Sequence, residues 1–196
     1  KRLIEKYFGD LPRGPDIPPI PGRPRIDPII GGEVRDVIRQ DVSLPRVYHA
    51  YRVPPFGTDE FLTALVTSYI LSYGKAALLY RTLVREQQIA QDVVAYAFPI
   101  VVGSAMLVLW ATARPGRSAD ELERALNAQI AALRDVDDVD VERAVHLLET
   151  DRLNELQRVD ERADQLSMYT QLFDQPERIN TEVDRIRAVT PARVRE

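Results

Sequence analysis

The chain reads as an α+β fold, with one antiparallel sheet and helices packed on one of its faces in a two-layer sandwich. Three observations predict it. Short Val- and Tyr-rich runs come in pairs, helical runs with apolar residues three and four apart separate them, and Gly or Pro stands where the period changes.

Charged and aliphatic residues alternate from Glu33 to Gln40, and Leu44 to Val53 (LPRVYHAYRV) is rich in Val and Tyr, so two paired strands are expected. Pro54-Pro55 and Gly57 end the second. Thr58 is placed to cap a helix whose first turn carries Asp59 and Glu60, favourable at the positive end of the helix dipole. That helix presents Phe61, Leu62, Leu65, Val66, Tyr69 and Ile70 until Gly74; a second presents Ala76, Leu79, Tyr80, Leu83 and Val84. Ile89 to Phe98 and Ser104 to Ala113 read as two strands, and the MLVLWA of the latter is apolar on both faces.

Ser118 and Glu121 have the spacing of a capping box, opening a helix with Leu122, Ala125, Leu126, Ile130 and Leu133 on one side. The Asp-rich run from Asp135 to Asp140 reads as a turn between helices. Two more helices carry the stripes Val141, Ala144, Val145, Leu148 and Val159, Ala163, Leu166, Tyr169, Phe173, with Pro176 ending the second. Ile179, Val183 and Ile186 mark a short helix, and Thr190-Pro191 has the cap-then-Pro order of another start. Ahead of all this, seven of the 14 prolines fall between Leu11 and Pro28, where they favour an extended connector. The Ile17, Ile20, Ile26, Ile29 series within it suggests a strap with apolar toes. Residues 1–32 are therefore read as a linker and 33–196 as one domain.

With 196 residues, 45% of them apolar, the chain can bury a sizeable core. Its net charge of −4 is spread over mixed-sign helices, which excludes the concentrated basic face that nucleic acid binding needs. No window approaches the roughly 18 uninterrupted apolar residues of a membrane helix. The absence of Cys removes disulfides, thiolate metal sites and Cys nucleophiles. Since the chain opens at Lys1 without an initiator Met, three residues ahead of IEKYFGDLP, it is read as a piece of a longer polypeptide.

Candidate chemistry is sparse. The two histidines, His49 and His146, stand far apart, whereas a zinc peptidase site needs two imidazoles one helical turn apart and a carboxylate to polarise water. His146 and Glu149 at i, i+3 fit a helix-surface contact better than a ligand pair. No G-x-S-x-G or phosphate-cradling Gly loop occurs, and the Asp135 to Asp140 run lacks the Gly and terminal Glu of a calcium loop. No catalytic or metal-binding residue is assigned.

Several blocks, in order, resemble the second domain of the pitrilysin/insulinase-type zinc metallopeptidases: YFGDLPRGP, LPRVYHAYRVPPFGTDEF, SYGKAALLYRTLVREQQIAQDVVAYAF and ATARPGRSADELERAL, followed by ADQLSMYTQLFDQPERIN and IRAVTPARV. The resemblance covers nearly the whole chain. It implies the fold of the pitrilysin and mitochondrial processing peptidase-like metallohydrolases, in which a first unit bears H-x-x-E-H and the second is metal-free. No H-x-x-E-H occurs in this chain. The implied partners are an upstream zinc-binding domain, a second half-enzyme or partner subunit, and an extended peptide, with zinc held in the parent protein's upstream domain and no cofactor in this fragment.

The resemblance also implies substrate contacts in the zinc-free half: an Arg at the end of the second helix and a Tyr entering the next strand. Arg85 matches the Arg, and the Tyr position falls at Gln91. REQQIAQDV looks more like the second domain that follows a zinc-bearing domain in bacterial members, which favours the active half as parent. The expected function is thus a non-catalytic second domain of a zinc metalloendopeptidase; the rival is a zinc-free partner or scaffold with a binding role only. Bacterial relatives of this pattern are often exported, so the resemblance favours a periplasmic address.

Overall fold

A computed structural model describes residues 1–16 and 31–196, and the Ile17 to Ile29 series of the expected strap lies outside them. Helix α1 (Arg2–Phe8) precedes β1 (Arg46–Val53), α2 (Asp59–Ser72), β2 (Ala90–Phe98) and β3 (Ala105–Ala113). Helices α3 (Ala119–Ala132), α4 (Asp138–Gln157), α5 (Val159–Phe173), α6 (Glu182–Arg187) and α7 (Pro191–Arg195) complete the chain. The three strands form one antiparallel sheet in the order β1-β3-β2. The β2–β3 hairpin is sequential, and β1 pairs with β3 across the intervening α2.

The sheet has a covered and an uncovered face. Ala105, Leu107, Leu109, Ala111 and Ala113 of β3 join Val93, Ala95 and Ala97 of β2 in one core, against Phe61 and Leu71 of α2 and Leu122 and Leu126 of α3. Helix α2 is buried on two sides. Its Leu62, Val66 and Ile70 belong to a second core with Val141, Ala144, Val145 and Leu148 of α4, Ile186 of α6 and Val194 of α7. Helices therefore lie on one face of the sheet, with a further group behind α2.

Local chemistry explains the helix starts. Thr58 accepts the Phe61 N–H at 3.2 Å, Asp137 accepts that of Val139 at 3.0 Å, and Thr190 caps α7. Ser118 accepts the Glu121 N–H at 3.2 Å, but the Glu121 carboxylate turns to Arg117 at 2.9 Å, so half of the expected capping box forms. At the far end, the Gly57 carbonyl accepts from both Arg178 and Arg185, which ties the C-terminal segment to the β1–α2 turn. Gly57 has φ +98°, and a Cβ there would meet the Phe173 ring at 2.6 Å.

Three expectations need correction. Residues 33–40 form no strand: the Val37 N–H is taken by the Asp36 carboxylate at 2.8 Å and Arg35 pairs with Glu123 of α3 at 2.6 Å. The Asp36 carboxylate thus takes a backbone donor that a ladder would need, and Val34 stays 89% and Ile38 77% exposed. The second half of the paired-helix region winds as a π-helical segment, Tyr80–Glu86, not a regular α-helix, with Gln87 N–H donating to Thr82 O. Its last carbonyls are claimed from outside: Leu83 O by the Ile89 N–H at 3.0 Å and Val84 O by Arg114 at 3.1 Å. In α5 only Tyr169 of the expected stripe is buried, because the buried residues of α4 stop at Leu148 and no core extends beneath the far halves of the two helices.

Candidate functional site

Arg85 lies in the last turn of the π-helical segment, exposed, and among the described residues it makes no hydrogen bond or ion pair. It pairs with neither Glu86 nor Asp92. Gln91 is exposed on β2 at a register shift: Ala90 pairs with Ala113 and Asp92 with Thr112, so Gln91 is the extra residue of a bulge. Between them, Gln88 takes a left-handed backbone, φ 53°.

One residue organises this corner. Arg114, just past the end of β3, donates from its guanidinium to Val84 O and Ala90 O, both at 3.1 Å, and from its N–H to Ile89 O at 2.9 Å. It thereby staples the end of the helix carrying Arg85 to the start of the strand carrying Gln91. Beside it an open groove of about 590 Å³ is lined by Gln87, Ile89, Arg117, Glu121, Arg124 and Ala125.

The two sheet edges differ. Ala113 N–H donates to Pro45 O, so in the alternating ladder Arg46, Tyr48 and Ala50 turn their backbone groups away from β3. On β2 the same alternation turns Ala95 outward, and there Ser72 of α2 accepts its N–H at 2.8 Å and donates to its carbonyl at 3.1 Å. The β2 edge is blocked by a helix at that point. No such bond is formed by the Tyr48 and Ala50 backbone among the described residues.

The uncovered face is set by register. Its rows are Arg46–Thr112–Asp92, Tyr48–Trp110–Val94, Ala50–Val108–Tyr96 and Arg52–Met106–Phe98. Tyr48 remains 61% and Tyr96 47% exposed, and Tyr96 meets Phe98 edge to face at 4.8 Å. Arg46 donates to Thr112 Oγ1 at 2.8 Å and to Tyr48 Oη at 3.3 Å. The sequence reading missed this surface; only Tyr96 and Phe98 stand two apart on one strand, and it is the register that brings Tyr48 and Trp110 to the same side.

The histidines stay apart. His49 projects from the covered face of β1, half-buried, with Tyr51 Oη 3.5 Å from Nδ1, and burial pushes its pKa down. His146 is exposed on α4, 3.8 Å from Glu149, whose carboxylate is bonded to Arg187 and held below the usual carboxylate range by that bond. Of the acidic run, Asp137 caps α4, Asp138 pairs with Arg195, and Asp140 lies 3.3 Å from Arg143. Among the described residues no three His, Cys, Asp or Glu side chains converge as a metal site, and this donor set does not fit a peptidase zinc ion. Nor, among the described residues, is any helix long and apolar enough to cross a membrane.

Comparison with known proteins bears on this arrangement. Residues 1–148 match the family described as the peptidase M16 inactive domain. A protease from Helicobacter pylori superposes with a TM-score of 0.72 at 16% identity, over 80% of this chain and 38% of that one. The inactive peptidase domain of a proposed zinc protease from Bordetella parapertussis gives 0.69 at 20% identity, over 82% and 87%. A proposed zinc protease from Bordetella pertussis Tohama I gives 0.67 at 21%, over 80% and 86%. At these identities the likenesses establish the fold, and the chain spans well under half the length of the Helicobacter protein. No curated protein sequence matches.

Proposed function

The chain belongs to the peptidase M16 inactive-domain family, and from that premise we propose that it is the non-catalytic second domain of a zinc metalloendopeptidase, forming part of the peptide-binding chamber and supporting an upstream H-x-x-E-H domain. The observation that carries the reading is the match over residues 1–148 in a chain with no H-x-x-E-H. The zinc and the polarised water that cleave the bond then belong to the parent's upstream domain.

Within such an enzyme this domain's contribution is shape. Among the described residues, its sheet turns a ring-lined face away from the helices that pack on the sheet core. Arg85 and Gln91 are proposed substrate contacts, held at one corner by Arg114. The Arg85 guanidinium is available to a peptide carbonyl or carboxylate, and the Gln91 amide can both donate and accept. Each would orient an extended peptide without taking part in bond cleavage.

The test pairs the purified chain with its parent's upstream domain and follows hydrolysis of a fluorogenic peptide. The chain alone should be inactive, and the combination should show hydrolysis that a chelator abolishes. Chelator-sensitive hydrolysis by the chain alone would overturn the reading. An inactive combination, from a parent that itself lacks H-x-x-E-H, would move it to a zinc-free scaffold with a binding role.

A further inference from the structure

We infer that the uncovered face of the sheet binds extended peptide segments that carry large apolar side chains together with one acidic side chain, the rings of Tyr48, Trp110, Tyr96 and Phe98 taking the former and Arg46 the latter. The inference deepens the chamber reading and rests on it, because it names the class of peptide that the wall would favour.

The rings lie on one side of three neighbouring strands, Tyr48 directly opposite Trp110 and Tyr96 two residues from Phe98 on β2. Tyr48 and Trp110 are in tilted contact at 6.3 Å, and Tyr96 and Phe98 in edge-to-face contact. None of the four belongs to either core. Tyr48, Tyr96 and Phe98 are exposed and Trp110 is half-buried beside Tyr48; aromatic residues grouped on a surface in this way mark an interaction site more often than isolated exposed apolar residues do.

Size favours a peptide over a second copy of the chain. Three strands of about 30 Å, spaced about 4.8 Å apart, offer roughly 300–450 Å². A stable protein interface needs about 800 Å² on each partner. Such a strip matches a few residues of extended chain.

Charge selects the acidic side chain. Arg46 stands at one end of the face, in the same cross-strand row as Thr112 and Asp92. The hydrogen-bond partners of Arg46, Thr112 and Tyr48, are both neutral hydroxyls, so its charge is not neutralised by a bonded carboxylate. An aspartate or glutamate on a bound peptide would meet Arg46 at the end of the ring-lined strip.

The chain reports on its own occupancy, because Trp110 is its single tryptophan. The experiment titrates the chain with a short Leu/Phe peptide bearing one Asp, with its Asp-to-Lys counterpart, and with a Gly/Ser peptide, reading Trp110 emission. A saturable blue shift is expected from the first, with the Lys peptide weaker by about threefold to fivefold and the Gly/Ser peptide without effect. Arg46→Gln should erase the preference between the first two, and Tyr96→Ser should weaken both, while unchanged far-UV dichroism confirms that each variant is folded. No shift with any peptide, equal binding of the Asp and Lys peptides, or a shift that follows protein concentration together with dimer formation would each overturn the inference. Peptide binding at Trp110 together with chelator-sensitive hydrolysis by the chain alone would count against the chamber reading alone; chelator-sensitive hydrolysis only in the combination, with no peptide binding at Trp110, would count against this inference alone.

Discussion

The two faces of the sheet are built from the same three strands and differ by one residue of phase. On the covered side β2 and β3 present Ala95, Ala97, Ala105, Ala111 and Ala113 around Leu107 and Leu109. Small side chains let α2 and α3 come close, and Phe61, Leu71, Leu122 and Leu126 fill the space from the helix side. On the other side the same strands carry Tyr48, Trp110, Tyr96 and Phe98, which neither core buries. Apolar character alone does not separate the faces. The covered face minimises bulk so that a helix can dock, whereas the open face displays rings that can still lose contact with water.

Truncation should separate them most sharply. Leu109 is 1% exposed at the centre of β3, so Leu109→Ala removes methyl groups from a closed core and should cost about 2–4 kcal/mol. Trp110→Ala, one residue away, should cost only about 1 kcal/mol, the scale of a cross-strand pair at a half-exposed position. Urea unfolding followed by far-UV circular dichroism measures both. Equal losses would show that the open face contributes to the fold as much as the buried one.

The edge of the covered side offers a smaller effect. Ser72 Oγ both accepts from and donates to Ala95, so Ser72→Ala leaves an outward-facing N–H and C=O of β2 without protein partners. The expected loss is about 1–2 kcal/mol in the same urea assay. Ser72→Thr retains the hydroxyl and should lose less than the alanine variant. A neutral Ser72→Ala would mean that water replaces the bond and that the edge is not protected by α2.

Much of the covered side was legible because its signals are local. The strands Ile89 to Phe98 and Ser104 to Ala113 were found within a residue of their ends, and Thr58, Ser118 and Thr190 cap as their side-chain chemistry requires. What escaped was decided at a distance. The π-helical winding before Glu86 accompanies an Arg114 bond to Val84 O from 30 residues downstream, and the apolar spacing of Leu79, Leu83 and Val84 looks the same either way. Gln91 was marked by its place in the resemblance, yet its bulge exists only relative to β3. For the open face, MLVLWA was apolar in both phases, and which phase would stay uncovered depended on where the helices dock. The alternation in residues 33–40 misled because Asp36 takes the neighbouring Val37 N–H while Arg35 reaches across to Glu123, 88 residues along the chain.

The smallest expected effect comes from the one titratable group on the covered face in the physiological range. His49 points to the α3 side of β1, where burial lowers its pKa; Glu123 of α3 and Glu33 pull it upward, Arg35 pushes it downward, and Tyr51 Oη lies beside Nδ1. Burial is the largest of these influences, so the folded protein holds a proton on His49 less readily than the unfolded chain does. The sign follows from linkage. Above the unfolded value of about 6.5 both states are neutral and stability is unaffected; as pH falls through that value toward the lower folded one, the unfolded state gains protons first and stability declines. Glu123 acts in a separate window, since its bond to Arg35 lowers its pKa and its contribution is lost only at more acid pH. His49→Gln should therefore flatten the unfolding free energy between neutral pH and about pH 5.5 while leaving the acid limb below about pH 4.5 in place. An unaltered slope in that interval would mean that the covered face tolerates a charged imidazole at its margin, and that the boundary between the two faces is wetter at β1 than its burial implies.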